Sequence, residues 1–275
     1  MTMAAEGDEA AFKALLEQVA RERGFACANY KDGCLRRRVA VRMRARGAMD
    51  FAAYAALLQR EPEEYDRLMD TLTINVTRLY RDADVWDVLA DAVIPALWEA
   101  SPDGLSVWSA GCASGEELFT MAALLHRHAE RTGTTARLRD TQVLGSDIDA
   151  ASLRAARTGQ YAEAAFKEMP PALRDRYFTG VGTRVAAPEL QALVCVERRD
   201  LLMDPPPPMT FDLIVCRNLL IYIDREGQER IFRRFHTLLA PHGVLVLGKV
   251  ETMLGPTRSL FAAVHPRQRI FRKVA

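Results

Sequence analysis

The chain has 275 residues, of which 49% are hydrophobic and 27% charged, so it can bury a full core in one large domain or in two smaller ones. Its net charge of +1 excludes bulk attraction to nucleic acid or to an anionic membrane surface. Five cysteines without a CxxC pair favour reduced thiols in the cytoplasm, and no apolar run reaches the roughly 20 residues that a membrane span needs. We expect no secretion signal in Met1 to Ala10 and, without an HExxH pattern, no metal site.

The first part of the chain is predicted to be helical, because its apolar residues recur about every 3.6 positions. The two clearest apolar stripes consist of Phe12, Leu15, Leu16 and Val19, and of Phe51, Tyr54, Leu57 and Leu58. Gly47 is expected to end the second helix and Asp50 to cap the third.

A basic helix is predicted over Cys34–Arg46. Leu35, Val39 and Met43 share one stripe of this helix, and a second stripe beside it consists of Arg38, Arg42 and Arg46. A charge run of this kind is most often a solvated face, and nucleic-acid binding is a second interpretation.

The pattern changes at Leu105 to short apolar strands that alternate with helices. The predicted strands are Leu105–Ser109, Gln142–Ser146, Ala192–Glu197, Phe211–Cys216 and Gly243–Leu247, with a last strand in Gln268–Val274. The predicted helices are Glu116–Arg131, Ala150–Thr158 and Arg225–Leu239. Alternation of this kind predicts an α/β fold, with a parallel sheet covered by helices on both faces. The segment Thr77–Glu99 joins the two parts and is predicted to be mostly helical.

The stretch Val107–Leu118 predicts a ligand site, because it reads strand, glycine turn, helix. The helix opens with Glu116 and Glu117, which would repel a phosphate and attract an amine or a sulfonium. Dinucleotide binding is disfavoured, since Gly111 and Gly115 give G-x-x-x-G instead of G-x-G-x-x-G.

Asp147 and Asp149 end the second predicted strand, about one βαβ unit after the glycine turn. A carboxylate at this place can accept both hydroxyls of a ribose, although either aspartate could instead cap the next helix. A nucleoside with a cationic tail is the ligand that fits both features, and S-adenosylmethionine is the common cofactor of that description.

Four blocks in order resemble the chemotaxis-receptor glutamate methyltransferases, the CheR family. Thr73–Asp82 resembles T-x-N-x-T-x-F-F-R-D/E, and Trp108–Glu117 resembles W-S-A-G-C-S-T-G-E-E. Asp147–Asp149 with Ala156–Tyr161 resembles D-I-D followed by A-x-x-G-x-Y, and Phe211–Asp224 resembles F-D-x-I-F-C-R-N-V-L-I-Y-F-D. The chain departs from the family at Leu79-Tyr80 (for Phe-Phe), at Leu118–Thr120 (for P-Y-S) and at Gly248–Glu251, where Lys249 replaces a histidine of G-H-S-E.

The resemblance implies a Rossmann-like class I S-adenosylmethionine methyltransferase sheet with an all-α N-terminal domain and a small antiparallel β-insertion. The expected division is a helical receptor-docking domain at 1–76, a linker helix at 77–99 and a catalytic domain at 100–275, with the insertion near Tyr177–Leu193. The implied reaction methylates receptor glutamates with S-adenosylmethionine and releases S-adenosylhomocysteine. The implied partners are the cytoplasmic methylation helices of the receptors, which the basic helix would face, with no nucleic acid and no membrane insertion.

The same resemblance implies a cofactor shell, in which Glu116 would hold the amino group and Asp147 the ribose. The other implied members are Asn75, Thr77, Arg81, Gly111, Asp200, Leu201, Arg217, Asn218 and Leu219. Thr73 and Thr77 could instead cap the start of the linker helix.

Methyl transfer to a glutamate needs no general base, because a carboxyl with a pKa of about 4.3 is already ionised at neutral pH. Arg81 and Tyr222 are the candidates for orienting the two reacting ends, and Tyr222 could instead be a packing residue. Two other classes of function stay open. The first is a nucleic-acid amino-methyltransferase, although Asp204–Pro208 lacks the aromatic residue of that class's motif and lies before the fourth predicted strand, not after it. The second is a catalytically silent module that senses the cofactor.

Overall fold

A computed structural model of the protein describes residues 2–73 and 75–274, with side chains at 7–73 and 75–274. The chain divides into two units. The first consists of Met1–Ile74 and Tyr222–Gln228, and the second of Asn75–Ile221 and Glu229–Ala275. In the described ranges, no helix combines the length and the apolar run that a membrane span requires.

The first unit is helical, as predicted. Its helices are α1 (Thr2–Arg23), α2 (Asp32–Arg46), α3 (Phe51–Arg60) and α4 (Glu63–Leu72). Both predicted end signals are confirmed: α2 ends at Gly47, whose φ is 67°, and the Asp50 carboxylate accepts the N–H of Ala53 at the start of α3. The buried stripe of α2 is Leu35, Val39 and Met43, so the expected face is confirmed.

The short segment Tyr222–Gln228 belongs to this helical unit although it is distant in sequence. The N–H of Lys31 donates to the carbonyl of Tyr222 (2.9 Å), and the N–H of Asp224 donates to the carbonyl of Asn29 (2.8 Å). Tyr30 and Ile223 form an isolated antiparallel bridge between these bonds.

The second unit begins with an irregular segment, so the prediction of helix from Thr77 is wrong for its first residues. The helix begins at Ala83 and runs as α5 (Ala83–Val88), a π-helical turn (Leu89–Val93) and α6 (Ile94–Ala100). Tyr80 and Asp82 have φ values of 60° and 61°, which an α-helix does not allow. The π turn precedes Pro95, which has no N–H to continue the helical bonds. Thr73 ends α4 and therefore caps no linker helix.

A seven-stranded sheet forms the core of the second unit, in the order β6-β2-β1-β7-β8-β10-β9. Its strands are β1 (Ser106–Ala110), β2 (Gln142–Asp147), β6 (Val194–Arg198), β7 (Phe211–Cys216), β8 (Leu239–Leu247), β9 (Phe261–His265) and β10 (Ile270–Lys273). The first five strands of that order are parallel, and β10 is antiparallel to both β8 and β9. The predicted α/β class is confirmed, whereas β9 was not predicted.

The remaining helices of this unit are α7 (Glu116–Thr132), α8 (Ala150–Thr158), α9 (Pro171–Tyr177), α10 (Pro188–Gln191) and α11 (Arg225–Leu238), whose first turn falls in the first unit. A second, antiparallel sheet has the order β3-β5-β4, with β3 at Gln160–Ala162, β4 at Phe178–Thr179 and β5 at Thr183–Ala186. The predicted β-insertion therefore exists, but it begins earlier in the chain than the expected Tyr177. The five cysteines are free thiols.

Candidate functional site

The carboxyl ends of β1, β2 and β7 meet at the point where the strand order reverses. Ligands of open α/β sheets bind at this place, because the loops that follow the strands diverge there. An ideal Cβ on Gly111, after β1, would lie 2.7 Å from Leu219, after β7. The N–H of Ala113 donates to the Asp147 carboxylate at the end of β2 (2.9 Å). These contacts place the three loops together.

The turn between β1 and α7 is built from residues that tolerate unusual backbone. Gly111 and Gly115 have φ values of 84° and 89°, and an ideal Cβ on Gly115 would approach Ala156 to 2.9 Å and the Tyr161 hydroxyl to 3.0 Å. Glycine is therefore required at Gly115 by conformation and by space.

The amides of this turn already bond within the protein. Gly111 and Cys112 both donate to the carbonyl of Ser146 (2.8 and 3.0 Å), Ala113 donates to Asp147, and Gly115 donates to the carbonyl of Cys112. The turn does not form the open nest of N–H groups that binds a phosphate. This agrees with the sequence argument against a nucleotide phosphate.

Buried carboxylates surround the turn instead. Glu116 is 7% exposed and accepts the Ser114 hydroxyl (2.7 and 3.0 Å), and burial raises its pKa. Burial also raises the pKa of Asp147, against the amides of Asp149 and Ala113 that stabilise its anion. Because desolvated carboxylates gain most from a nearby cation, this edge of the sheet suits a cationic ligand.

Asp149 has the capping role that the sequence left open. Its carboxylate accepts the N–H groups of Ala151 (2.9 Å) and Ser152 (3.3 Å) at the start of α8. The Asn75 side-chain amide also donates to Asp149, which places Asn75 beside the end of β2.

Arg81 lies in the irregular segment before α5. Its guanidinium donates to the carbonyl of Val76 (3.0 Å), and its own carbonyl accepts the indole N–H of Trp86 (2.9 Å) and an N–H of Arg217 (3.0 Å). Thr77 is half-buried in the same segment.

Arg217, after β7, uses its guanidinium inside the protein. Its side chain is 2% exposed, with Nη2 at 2.6 Å from Asp82 and Nη1 at 3.6 Å from Glu117. Its Nε is buried without a hydrogen-bond partner among the residues that the structure describes. Asn218 follows with a φ of 62°, and Leu219 packs over Gly111.

Asp200 and Leu201 lie in the turn that follows β6. The Asp200 carboxylate accepts the N–H groups of Leu202 (2.8 Å) and Met203 (3.2 Å), so it closes this turn, and Leu201 is buried. Tyr222 belongs to the first unit, where the Arg38 guanidinium carbon lies 5.6 Å from the centre of its ring.

The predicted docking arginines all bond within the first unit. Arg42 forks onto Glu64, with both nitrogen–oxygen distances at 2.9 Å, and the Glu64 side chain is only 1% exposed. Arg46 pairs with Glu61, and Arg38 donates to the carbonyl of Thr71. Arg42 therefore serves an internal ion pair, and the exposed arginines of α2 are Arg37 and Arg44, while the docking role of the stripe stays a prediction.

Four residues of this region lie outside the cofactor shell that the sequence predicts. Glu251 accepts the N–H groups of Leu220 (2.7 Å) and Gly248 (2.6 Å), so it holds the loops after β7 and β8 together. The others are Glu117, Asp82 and Glu168. The sequence offered a signal for three of them, because the segments that resemble the family contain or adjoin Glu117, Asp82 and Glu251. No sequence pattern marks Glu168.

Comparison with protein families gives two matches. Residues 75–269 match the family described as "CheR methyltransferase, SAM binding domain", and residues 10–73 match "CheR methyltransferase, all-alpha domain".

Several curated proteins are similar over most of the chain. A chemotaxis protein methyltransferase of Listeria innocua is 34% identical over 86% of this chain and 88% of its own length. One from Escherichia coli is 33% identical over 88% of this chain and 84% of its own length. An uncharacterised 104.1 kDa protein of Rhodobacter capsulatus is 34% identical over 89% of this chain, which spans only 25% of that relative.

Two solved structures are similar at lower identity. The amino pentose methyltransferase CalS10 from Micromonospora echinaspora, bound to S-adenosylmethionine, is 20% identical with a TM-score of 0.35, over 62% of this chain and 52% of its own. A TehB-like methyltransferase from Corynebacterium glutamicum is 16% identical with a TM-score of 0.38, over 70% of this chain and 93% of its own.

Proposed function

Because this chain belongs to the CheR methyltransferase family, and so is an S-adenosylmethionine-dependent methyltransferase of the chemotaxis type, we propose that it methylates the side-chain carboxylates of glutamates on chemotaxis receptors. The acidic edge of the sheet is the observation that carries this proposal beyond family membership. Glu116 and Asp147 are desolvated carboxylates, and a cofactor with an ammonium and a sulfonium group would relieve their burial.

The proposed cofactor shell follows the loops at this edge. Glu116 would bind the amino group and Asp147 the ribose, since a carboxylate has about four acceptor positions and the backbone amides of Ala113, Asp149 and Ile148 use three of them. The further proposed members are Asn75, Thr77, Arg81, Gly111, Asp200, Leu201, Arg217, Asn218 and Leu219. The bound cofactor would supply an electrophilic methyl group on sulfur.

The proposed reaction is a direct displacement. The cofactor would supply a methyl group that leaves the sulfur without its bonding electron pair, and a glutamate oxygen held in line would form the new bond to that carbon. No proton moves, because the attacking carboxylate is already ionised. Charge is lost on the way to the transition state, so alignment is expected to contribute more than a strong general field.

Arg81 and Tyr222 are the residues that we propose for alignment. The Arg81 guanidinium has a fixed charge that can fork onto a carboxylate of the substrate or of the cofactor. The Tyr222 hydroxyl can donate to a carboxylate without neutralising it. Single-turnover rates of Tyr222→Phe and Arg81→Ala at saturating cofactor test these roles, and a wild-type rate for Tyr222→Phe would leave Tyr222 a packing residue.

We propose that α2 contacts the acidic methylation helices of the receptor. Arg37 and Arg44 are exposed on α2, and Arg38, Arg42 and Arg46 add to the positive field although each bonds within its own unit. Reversing Arg37 and Arg44 to Glu should raise the KM for receptor and weaken its salt dependence, with cofactor affinity unchanged. Unaltered receptor kinetics would make this an ordinary solvated face.

The central experiment incubates the protein with methyl-labelled S-adenosylmethionine and receptor membranes. We expect label on receptor glutamates, released as methanol in mild base because a methyl ester hydrolyses and an N-methyl amine does not. Base-stable label, or label on nucleic acid, would instead indicate an amino-methyltransferase. Binding without turnover on any receptor would indicate a sensor.

The matched binding variant is Asp147→Ala. Losing hydrogen bonds to a charged acceptor should weaken S-adenosylhomocysteine binding by roughly ten- to a hundredfold, about 1.5–3 kcal/mol. An unchanged calorimetric affinity would remove Asp147 from the cofactor site.

A further inference from the structure

Arg81 stands between two residues with strained backbone. Tyr80 and Asp82 have φ values of 60° and 61°, in the left-handed region that residues other than glycine adopt rarely. Such conformations persist only where the surroundings fix them, and they concentrate at functional sites. The contacts around this segment are therefore informative about what it does.

Groups distant in sequence hold the segment on both sides of Arg81. The N–H of Tyr80 donates to the Thr120 hydroxyl (3.0 Å), and the N–H of Asp82 donates to the Glu168 carboxylate (2.7 Å). The carbonyl of Arg81 accepts the two bonds from Trp86 and Arg217. The N–H groups of Tyr80 and Asp82 and the carbonyl of Arg81 thus have defined partners.

A buried chain of charges ends on this segment. The Ser109 hydroxyl donates to Glu117 (2.7 Å), Glu117 faces Arg217 (3.6 Å), and Arg217 pairs with Asp82 (2.6 Å). The Arg217 guanidinium also lies over the Trp86 ring, 5.4 Å from its centre. A buried ion pair contributes little net stability, but it holds its partners in one geometry and is costly to break on one side.

We propose that Asp82 and Glu117 are positioning residues, which act through Arg217 to fix the backbone that carries Arg81. The proposal rests on the proposed function, in which Arg81 aligns the methyl transfer. The Arg81 guanidinium donates to the carbonyl of Val76. The position of the guanidinium therefore depends more on the backbone of this segment than on rotation of the Arg81 side chain. Glu117 links the segment to the turn that carries Glu116, so the cofactor turn and Arg81 would be set together.

The main test is Asp82→Asn. Asparagine keeps the size of aspartate and its tolerance of left-handed backbone, so the substitution removes only the charge opposite Arg217. We expect the single-turnover rate at saturating cofactor to fall roughly ten- to a hundredfold, as for a misplaced reacting group, with the KM for receptor unchanged.

The same substitution in an Arg81→Ala background separates positioning from general structure. With the positioned side chain gone, Asp82→Asn should cause no further loss of rate. Equal slowing in both backgrounds would overturn the proposal and leave the proposed function intact. A wild-type rate for Arg81→Ala itself would overturn the role of Arg81, and the positioning proposal with it.

Two further variants complete the design. Asp84→Asn breaks the pair of Asp84 with Lys249 at the same end of α5, where both side chains are more than 40% exposed, and should keep the wild-type rate. Glu117→Gln removes the other carboxylate and should show the same dependence on Arg81, so it decides the question if Asp82→Asn does not fold. Additive losses for both variants would overturn the proposal.

Discussion

Four carboxylates at one edge of the sheet share an unusual environment. Burial raises the pKa of Glu116, Glu117, Asp147 and Glu251. The opposing influences differ: Arg217 lowers the pKa of Glu117, whereas backbone amides lower those of Asp147 and Glu251. Each carboxyl is held by hydrogen bonds that suit its anion, yet it lies where solvent cannot stabilise charge. A cation delivered to this edge would favour all four anions together.

The first prediction concerns proton release on cofactor binding. The folded pKa values lie above the ordinary values of 3.8 for Asp and 4.5 for Glu. The contribution of these groups to stability is therefore fully present below those ordinary values and is lost as the pH rises through the raised ones. A bound cation lowers the raised pKa values, so affinity for S-adenosylmethionine should increase as the pH rises from the ordinary carboxyl values through the raised ones.

Calorimetry in buffers of different ionisation enthalpy measures the released protons. S-Adenosylhomocysteine lacks the sulfonium charge and should show the smaller pH dependence. Glu116→Gln should release fewer protons than the wild type. A pH-independent affinity with no proton release would show that the cofactor does not contact this cluster.

For single residues, the sequence predicted the role correctly where the signal lay in the neighbouring residues of the chain. Asp149 as a helix cap and Gly115 in the turn follow from a few neighbouring residues. The partners of the Tyr80 and Asp82 amides could not be predicted, because Thr120 and Glu168 approach them only through the folded path of the chain. For the same reason the sequence did not show that Arg42 holds Glu64.

Among the elements, the turn between β1 and α7 has glycines at which an added Cβ would lie within 3 Å of a neighbouring side chain. Its glycines let the backbone approach Ala156 and Leu219, and its amides bond to the end of β2. This turn therefore requires glycine both for its backbone conformation and for the space around it. The glycines at the two ends of α7 allow these two contributions to the unfolding free energy to be separated.

The second prediction compares Gly115→Ala with Gly133→Ala, at the two ends of α7. Both glycines have positive φ, but an added Cβ on Gly133 meets nothing within 4 Å. Gly133→Ala should cost about 1 kcal/mol of unfolding free energy from backbone strain alone. Gly115→Ala should cost about 1–3 kcal/mol more through overpacking, measured by urea unfolding. Equal losses would mean that Ala156 and Tyr161 move aside freely.

The third prediction concerns α2 and α4 in the helical unit. Glu64 accepts two bonds from Arg42 and one from the Tyr54 hydroxyl (3.0 Å). Glu64→Gln leaves the partly buried Arg42 without its charge partner and should cost roughly 1–3 kcal/mol, less than for a fully buried pair because Arg42 is 19% exposed.

Glu61→Gln is the matched control for this ion pair. Glu61 is 49% exposed and pairs with Arg46, so its loss should cost less than about 1 kcal/mol. Urea unfolding of the two variants gives the comparison. A cost for Glu64→Gln no larger than that of the control would show that burial adds nothing to the Arg42 pair.

The long parallel strands were predictable because apolar runs bounded by turn residues are strong signals. The small antiparallel sheet was placed too late in the chain, since β3 has three residues and β4 only two. The irregular segment before Ala83 was predicted as helix because its composition is compatible with one. Its amides instead bond to Ala165, Thr120 and Glu168, so tertiary contacts overrode local preference.

At the scale of the whole molecule, the chain does not divide into its two units at a single point in the sequence. The first unit takes up Tyr222–Gln228 from the middle of the second, so the chain passes between the units at three places. No composition shift marks this segment, which is why a division from sequence placed it in the catalytic domain. The residues that it contacts, Asn29 to Lys31, lie in a turn without an apolar pattern.

The fourth prediction tests this path with a fragment that begins at Asn75. Without residues 1–74, the N–H of Asp224 loses its acceptor at Asn29, so amides in 222–228 should exchange with solvent roughly tenfold faster or more. Amides in β7 should keep their protection and so report that the fragment is folded. Hydrogen exchange with mass spectrometry measures both peptides. Unchanged exchange in 222–228 with protected β7 would show that the segment holds its structure without the helical unit.

The three crossings of the chain between the two units limit where this protein can be joined to a relative in a chimera. A crossover at Ile74 would pair the helices of one parent with the Tyr222–Gln228 segment of another, so Asn29 to Lys31 would meet a foreign segment. A chimera that exchanges the helical unit should therefore carry residues 222–228 with the first 74. Residues 1–74 and 222–228 would then be exchanged as one interleaved module.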